Sequence, residues 1–177
     1  MTTSATQPDD GIIWQSASAL ARCIRAGELT ARAVVDAHIR RIEAVNPQLN
    51  AVVFPLFEQA RQAADAADSA RRRGEPLGPL HGVPITIKEQ FLVQGTPTTM
   101  GYVREAGHRA AADGPLVARL RSAGAIILGK TNVPQALVST ECSANRLYGR
   151  SNNPYHVASM DRHERRRCRR VQATGGR

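Results

Sequence analysis

Two apolar runs in this 177-residue chain end on the residues best suited to chemistry. Residues 124–131 read GAIILGKT, a literal match to the phosphate-binding pattern G-x-x-x-x-G-K-[ST]. That pattern binds nucleotides when a flexible loop wraps its N–H groups around phosphate and then opens a helix. Here the middle residues are Ala125, Ile126, Ile127 and Leu128, which favour a buried strand, and Asn132, Val133 and Pro134 follow where a helix should begin. The sequence therefore predicts a strand ending at Gly129 with Lys130 snorkelling to solvent, and no nucleotide site. The other run, VPITIK, ends on Lys88. Lys88 and Lys130 are the only lysines, against 22 arginines, a bias that fits a GC-rich coding sequence.

The elements that must position these residues follow from spacing. Ser16 predicts an N-cap for a helix with Leu20, Cys23 and Ile24 on one face, closed by Gly27. Thr30 caps a second helix carrying Val35, Ile39 and Ile42, which should stop before Pro47 because the residue preceding proline is pushed out of the α region. Asn50 to Phe54 reads as a short strand, and the Ala-rich stretch from Phe57 to Arg73 as a third helix stopped by Gly74. Val83–Ile87 and Ala125–Leu128 are apolar strands. Between them, Pro115–Ala123 is a helix capped by Asp113 with Leu116, Val117 and Leu120 inward. Strand, crossover helix and strand make a βαβ unit with parallel strands buried on both faces. The loop from Gln90 to Ala112 then lies beyond the C-terminal end of the first strand, where open α/β sheets place ligands.

Composition bounds the rest. The chain is long enough for one core, and no apolar run approaches the roughly 18–20 residues that cross a bilayer. The N-terminus has no basic flank or apolar stretch of the secretory kind, and Cys23, Cys142 and Cys168 form no CxxC pair or disulfide framework, so reducing cytoplasm is the expected compartment. Of the net charge of +9, the seven arginines at 162, 165, 166, 167, 169, 170 and 177, less Asp161 and Glu164, supply +5. A nucleic-acid reading would rest on that tail. Without interleaved aromatics it predicts only weak, non-specific binding through residues 162–170.

The stretches GPLHGVPITIKEQFLVQGTPTTMGY (78–102) and GPLVARLRSAGAIILGKTNVPQALVSTECSANRLYGRSNNPYH (114–156), with NPQLNAV (46–52) and the helix pair before it, resemble the N-terminal portion of the amidase signature family, in wording that of the bacterial amidases and fatty acid amide hydrolase-like members. The resemblance implies an α/β fold: an N-terminal helical hairpin plus the first βαβ part of the family's mixed sheet, incomplete, over residues 11–157, after a disordered stretch 1–10. It implies hydrolysis of carboxylic amide C–N bonds by two serines, one in a cis peptide, and a lysine, with no cofactor and no metal. Lys88 ends the strand that carries the family's lysine, and arginine, effectively never deprotonated, could not replace it as a base. The retained part of the acyl pocket is implied around Leu137, Val138, Ser139 and Thr140.

The departure comes after Asn152, Asn153, Pro154, Tyr155 and His156. The family's Gly-Gly-Ser-Ser-Gly-Gly run and its later nucleophile have no counterpart, and none of Ser139, Ser143 and Ser151 matches a catalytic position. Both partner serines are absent from this sequence, so the chain is expected to be a truncated, inactive form, with the strand end bearing Lys88 open to water. Open sheet edges would favour self-association or docking on a complete amidase as a regulatory fragment. Glycine and serine codons such as GGC and AGC, read in a shifted frame, give CGG, GCG and CAG. Residues 158–177 are accordingly expected to be an arginine-rich tail, disordered or frameshifted. Translation of the DNA past codon 156 in the other two frames should uncover a glycine-flanked serine pair; its absence from both frames disproves the frameshift.

Overall fold

The computed structural model describes residues 11–138 and 143–155, in the order α1 (Ala17–Ala26), α2 (Ala31–Leu49), β1 (Val52–Pro55), α3 (Phe57–Arg72), β2 (Pro84–Lys88), α4 (Pro115–Ser122), β3 (Ile126–Thr131), β4 (Ala144–Asn145) and β5 (Gly149–Arg150). The expected disordered N-terminus and the arginine-rich tail lie outside the described residues. The chain divides into two units, one of residues up to Ile42 with Phe57–Ile85 and Leu120–Leu128, the other of Glu43–Leu56, Thr86–Arg119 and the residues from Gly129 on.

The first unit is built on helix ends that satisfy their own backbone. Ser16 accepts the Ala19 N–H at 3.2 Å, and Gly27, at φ 80°, closes α1 while Glu28 N–H returns to the Cys23 carbonyl. Thr30 Oγ1 accepts the Ala33 N–H, and Asp68 on α3 takes the Ala31 and Arg32 N–H groups at 2.8 and 3.1 Å. A buried carboxylate of one helix thus caps another. Leu20, Ile24, Val34, Val35, Ile39, Ala60, Ala64, Val83, Ile126 and Leu128 form the core beneath.

In the second unit α2 runs on through Pro47 to Leu49, overturning the expected stop before it. Pro47 has no N–H to give to the helix, and Asn46 ties the last turn to the chain that follows, its Oδ1 accepting from Ala51 and Val52 N–H and its Nδ2 donating to the Val52 carbonyl. Ahead of α4, Asp113 Oδ1 accepts the Gln94 N–H, and the Ala118 N–H donates to the Gly114 carbonyl. Val117 is buried, but Leu116 is exposed, because so short a helix turns only one narrow face inward.

The sheet order is β1-β3-β2. β1 is antiparallel to β3, pairing Val52 with Thr131, Phe54 with Lys130 and Pro55 with Gly129. β2 runs parallel to it: Gly82 donates to Gly124, Ile126 to Val83 and Glu89 to Thr131, both sequences advancing together. The βαβ unit is therefore present, but only the central strand is buried along its length; β2 leaves Thr86 and Lys88 exposed, so the expectation of burial on both faces fails there. β4 and β5 form a separate antiparallel hairpin.

GAIILGKT is thus a strand that continues through Lys130 to Thr131. Its second glycine is required by close approach, since a Cβ at Gly129 would lie 2.7 Å from the Phe54 carbonyl oxygen and 3.2 Å from Pro55 Cα. Gly129→Ala should destabilise the chain by about 1–3 kcal/mol, whereas Gly107→Ala, where nothing lies within 4 Å, should leave the urea midpoint nearly unchanged. Equal midpoints for the two variants would refute the packing argument.

Candidate active site

β2 ends at Lys88, and Glu89 opens the turn that the Phe91 N–H closes onto the Lys88 carbonyl. Lys88 is exposed to water, whereas Glu89 is fully buried. An isolated buried carboxylate is costly, and this one is satisfied by four donors: Thr99 N–H at 2.8 Å, Thr99 Oγ1 at 2.7 Å, Met100 N–H at 2.9 Å and the Tyr148 hydroxyl at 3.3 Å. Its own N–H donates to the Thr131 carbonyl on β3. The Gln90–Ala112 loop is pinned in turn by bonds from Gly95 to Ala110 and from Ala110 back to Thr96.

Lys130 corrects a sequence expectation. It does not snorkel; it is fully buried, and its Nζ donates to the Pro97 carbonyl and, at 3.1 Å, to Thr98 Oγ1. β1 pairs alongside it at Phe54, so the amine meets acceptors on the loop before it meets water. Burial lowers its pKa to about 8, against the pull of the Glu89 charge in the other direction. The amine is turned inward, away from water. Burial first, then the Glu89 charge, pushes the Tyr148 hydroxyl upward.

An amide network braces the far side of this cluster. Asn145 Nδ2 donates to Asn132 Oδ1 and the Val133 carbonyl, while its Oδ1 accepts from Leu147 and Tyr148 N–H and so fixes the turn that aims Tyr148. Ser151 Oγ donates to the Asn50 carbonyl at 2.6 Å, and the Ser143 carbonyl accepts from Asn132 and from Ser151 N–H. Both serines hold backbone.

Of the residues expected to line a substrate, Leu137 and Val138 are exposed after a turn in which Ala136 and Leu137 adopt φ of 54° and 60°, an unusual backbone for residues with side chains. Ser139 and Thr140 lie outside the described residues. Sequence reasoning missed Glu89, Tyr148, Asn132 and Asn145. The signal for Glu89 was its place directly after the strand-ending Lys88.

A family model described as Amidase matches residues 33–160. The chain is 44% identical over 146 residues to the indoleacetamide hydrolase of Bradyrhizobium diazoefficiens, covering 82% of this chain and 28% of that protein. It is 39% identical over 153 residues to an acylamidase of Rhodococcus erythropolis, covering 85% and 31%. Among solved structures it is similar to a fatty acid amide hydrolase, with TM-score 0.80, 30% identity and coverage of 85% of this chain and 26% of that one. A peptide amidase from Stenotrophomonas maltophilia gives 0.74, 31%, 85% and 32%. The chain thus spans about 30% of the length of the curated relatives it matches.

The depressed Lys130 fixes a sign for stability against pH. The unfolded chain holds this proton up to about 10.5 and the folded chain only to about 8, so stability is lowest below pH 8 and rises between those values. From pH 7 to 9.5 the chain should gain about 2 kcal/mol relative to Lys130→Met, measured by urea unfolding. Parallel pH profiles for the two proteins would contradict the burial of a titrating amine.

Proposed function

The chain belongs to the amidase family, and we propose that it carries the lysine-bearing portion of a hydrolase of carboxylic amide C–N bonds acting on small molecules. One observation carries this reading: Lys88 stands exposed at the C-terminal end of β2, a parallel strand of the sheet, directly before the buried Glu89. Lys88 is the general base. Its neutral amine takes a proton from a bridging serine, which takes one from the nucleophilic serine as that oxygen attacks the amide carbonyl. The proton returns along the same path to the departing amine when the C–N bond breaks, and water then hydrolyses the acyl-enzyme. Leu137, Val138, Ser139 and Thr140 border the acyl group.

Neither serine has a counterpart in the 177 residues. A lysine base needs cover from water, and among the described residues Lys88 stays exposed. The 177-residue polypeptide by itself therefore hydrolyses no amide. Residues 158–177 are read as shifted-frame text. A second reading, docking on a complete amidase or on another copy, has one observation in its favour: β1 and β2 are outer strands of the described sheet. Binding of nucleic acid rests on charge alone.

The test joins residues 1–155 to the remainder of the Bradyrhizobium indoleacetamide hydrolase and assays indoleacetamide. The chimera should turn over, Lys88→Ala should lose about 10²–10⁴-fold in kcat, and Lys88→Arg should not rescue it. Turnover by the 177-residue chain alone that vanishes on Lys88→Ala would overturn the inactive reading.

A further inference from the structure

Glu89 and Lys130 grip the two halves of one four-residue turn, Pro97–Met100. The carboxylate at the end of β2 takes the Thr99 and Met100 N–H groups and the Thr99 hydroxyl; the amine of β3 donates to the Pro97 carbonyl and the Thr98 hydroxyl. Both charged groups are fully buried. The turn therefore bridges a buried acid and a buried amine, supplying three of the four donors to Glu89 and both acceptors of the Lys130 bonds given above. Met100 within this turn holds φ 49°, and its carbonyl accepts the Ala136 N–H. Such a conformation persists only where the surroundings hold it in place.

Lys88 ends β2, and Glu89 is the next residue, in the tight turn closed by the Phe91 N–H on the Lys88 carbonyl. The two side chains hang on adjacent α-carbons across one rigid peptide, so a rotation that re-aims Lys88 also moves Glu89 and strains its bonds to the Pro97–Met100 turn. We propose that Glu89 and Lys130 are positioning residues for Lys88, setting its direction through the Pro97–Met100 turn and passing the protonation state of Lys130 on to the end of β2. The inference rests on the reading of Lys88 as the base, but its test reads no activity and so fails or succeeds separately from that reading.

The charged and titratable groups around Lys130 make the coupling observable. Glu89 faces it from β2; Tyr148 donates to Glu89 from the β4–β5 turn, and Arg109 on the loop acts on Tyr148. The Tyr148 pKa is raised, so this hydroxyl keeps its proton through the range where Lys130 loses its own. Deprotonation leaves Glu89 without the opposing charge, and the bonds at Thr99 and Met100 must readjust.

The chain has only two lysines, so selective ¹³C-lysine labelling gives two sets of side-chain signals. In the 177-residue chain, with uniform ¹⁵N labelling for the backbone, NMR titration from pH 6.5 to 9.5 should show the Lys130 ε-carbon moving with a midpoint near 8. The backbone amides of Lys88 and Glu89 should move at that same midpoint. In Glu89→Gln the Lys130 midpoint should fall by about 0.5 pH or more as the charge that supports the ammonium is removed, and the Lys88 amide should follow it. In Lys130→Met the transition at Lys88 should vanish. A role confined to stability would leave the Lys88 amide indifferent to the state of Lys130. The proposal is overturned if Lys130 titrates while the Lys88 and Glu89 amides stay still, or if their transition survives unchanged in Lys130→Met. Should that variant not fold, the wild-type and Glu89→Gln titrations decide.

Discussion

The carboxylate of Glu89, sealed from water at the end of β2, is the constraint around which the second unit is arranged. Removing a carboxylate from water costs several kcal/mol unless donors replace its hydration, and hydrogen bonds to a charged group return about 1.5–3 kcal/mol each. Four donors converge on it, two of them backbone N–H groups of consecutive residues. The Gln90–Ala112 loop can therefore not wander, because its Thr99–Met100 segment is the hydration shell of a buried ion. Tyr148, the fourth donor, ties the β4–β5 hairpin to the same ion, and Asn145 fixes the turn from which it reaches.

The two lysines of an otherwise arginine-only chain divide along the same line. Lys88 faces water, where its chemistry as a base would require cover; Lys130 lies inside, where an arginine's larger and permanently charged head could neither fit two compact acceptors so simply nor lose its proton. Scarcity of lysine is informative at both positions, for different physical reasons. At one it concerns reaction, at the other the depth of burial.

The close approach of β1 to β3 makes a parallel point about glycine. Gly129 stands where a nucleotide-binding loop would use glycine to admit phosphate, yet the atoms that occupy the space of its missing Cβ are the Phe54 carbonyl and Pro55. A residue type selected by proximity of backbone says nothing by itself about what comes close. The indoleacetamide hydrolase and the acylamidase similar to this chain are amide hydrolases by name, which agrees with the strand and not with the loop.

Much of the fold was legible in the sequence because it is set by local rules. Ser16, Gly27, Thr30 and Gly74 punctuate helices through their own backbone and side-chain bonding, and apolar runs name the strands. The wording of the motif around Lys88 also identified the family. What failed depended on bonds and packing made outside the element itself. Pro47 stays helical because Asn46 binds beyond the helix end, Leu116 is exposed because α4 buries one narrow face, and β2 is half-exposed because the sheet places β3 at its centre. Lys130 is buried because Pro97 and Thr98, over thirty residues earlier, present acceptors to it. The sequence alone determined which residues could carry charge; only tertiary structure decided which of them meet water, since that depends on what the rest of the chain places above them.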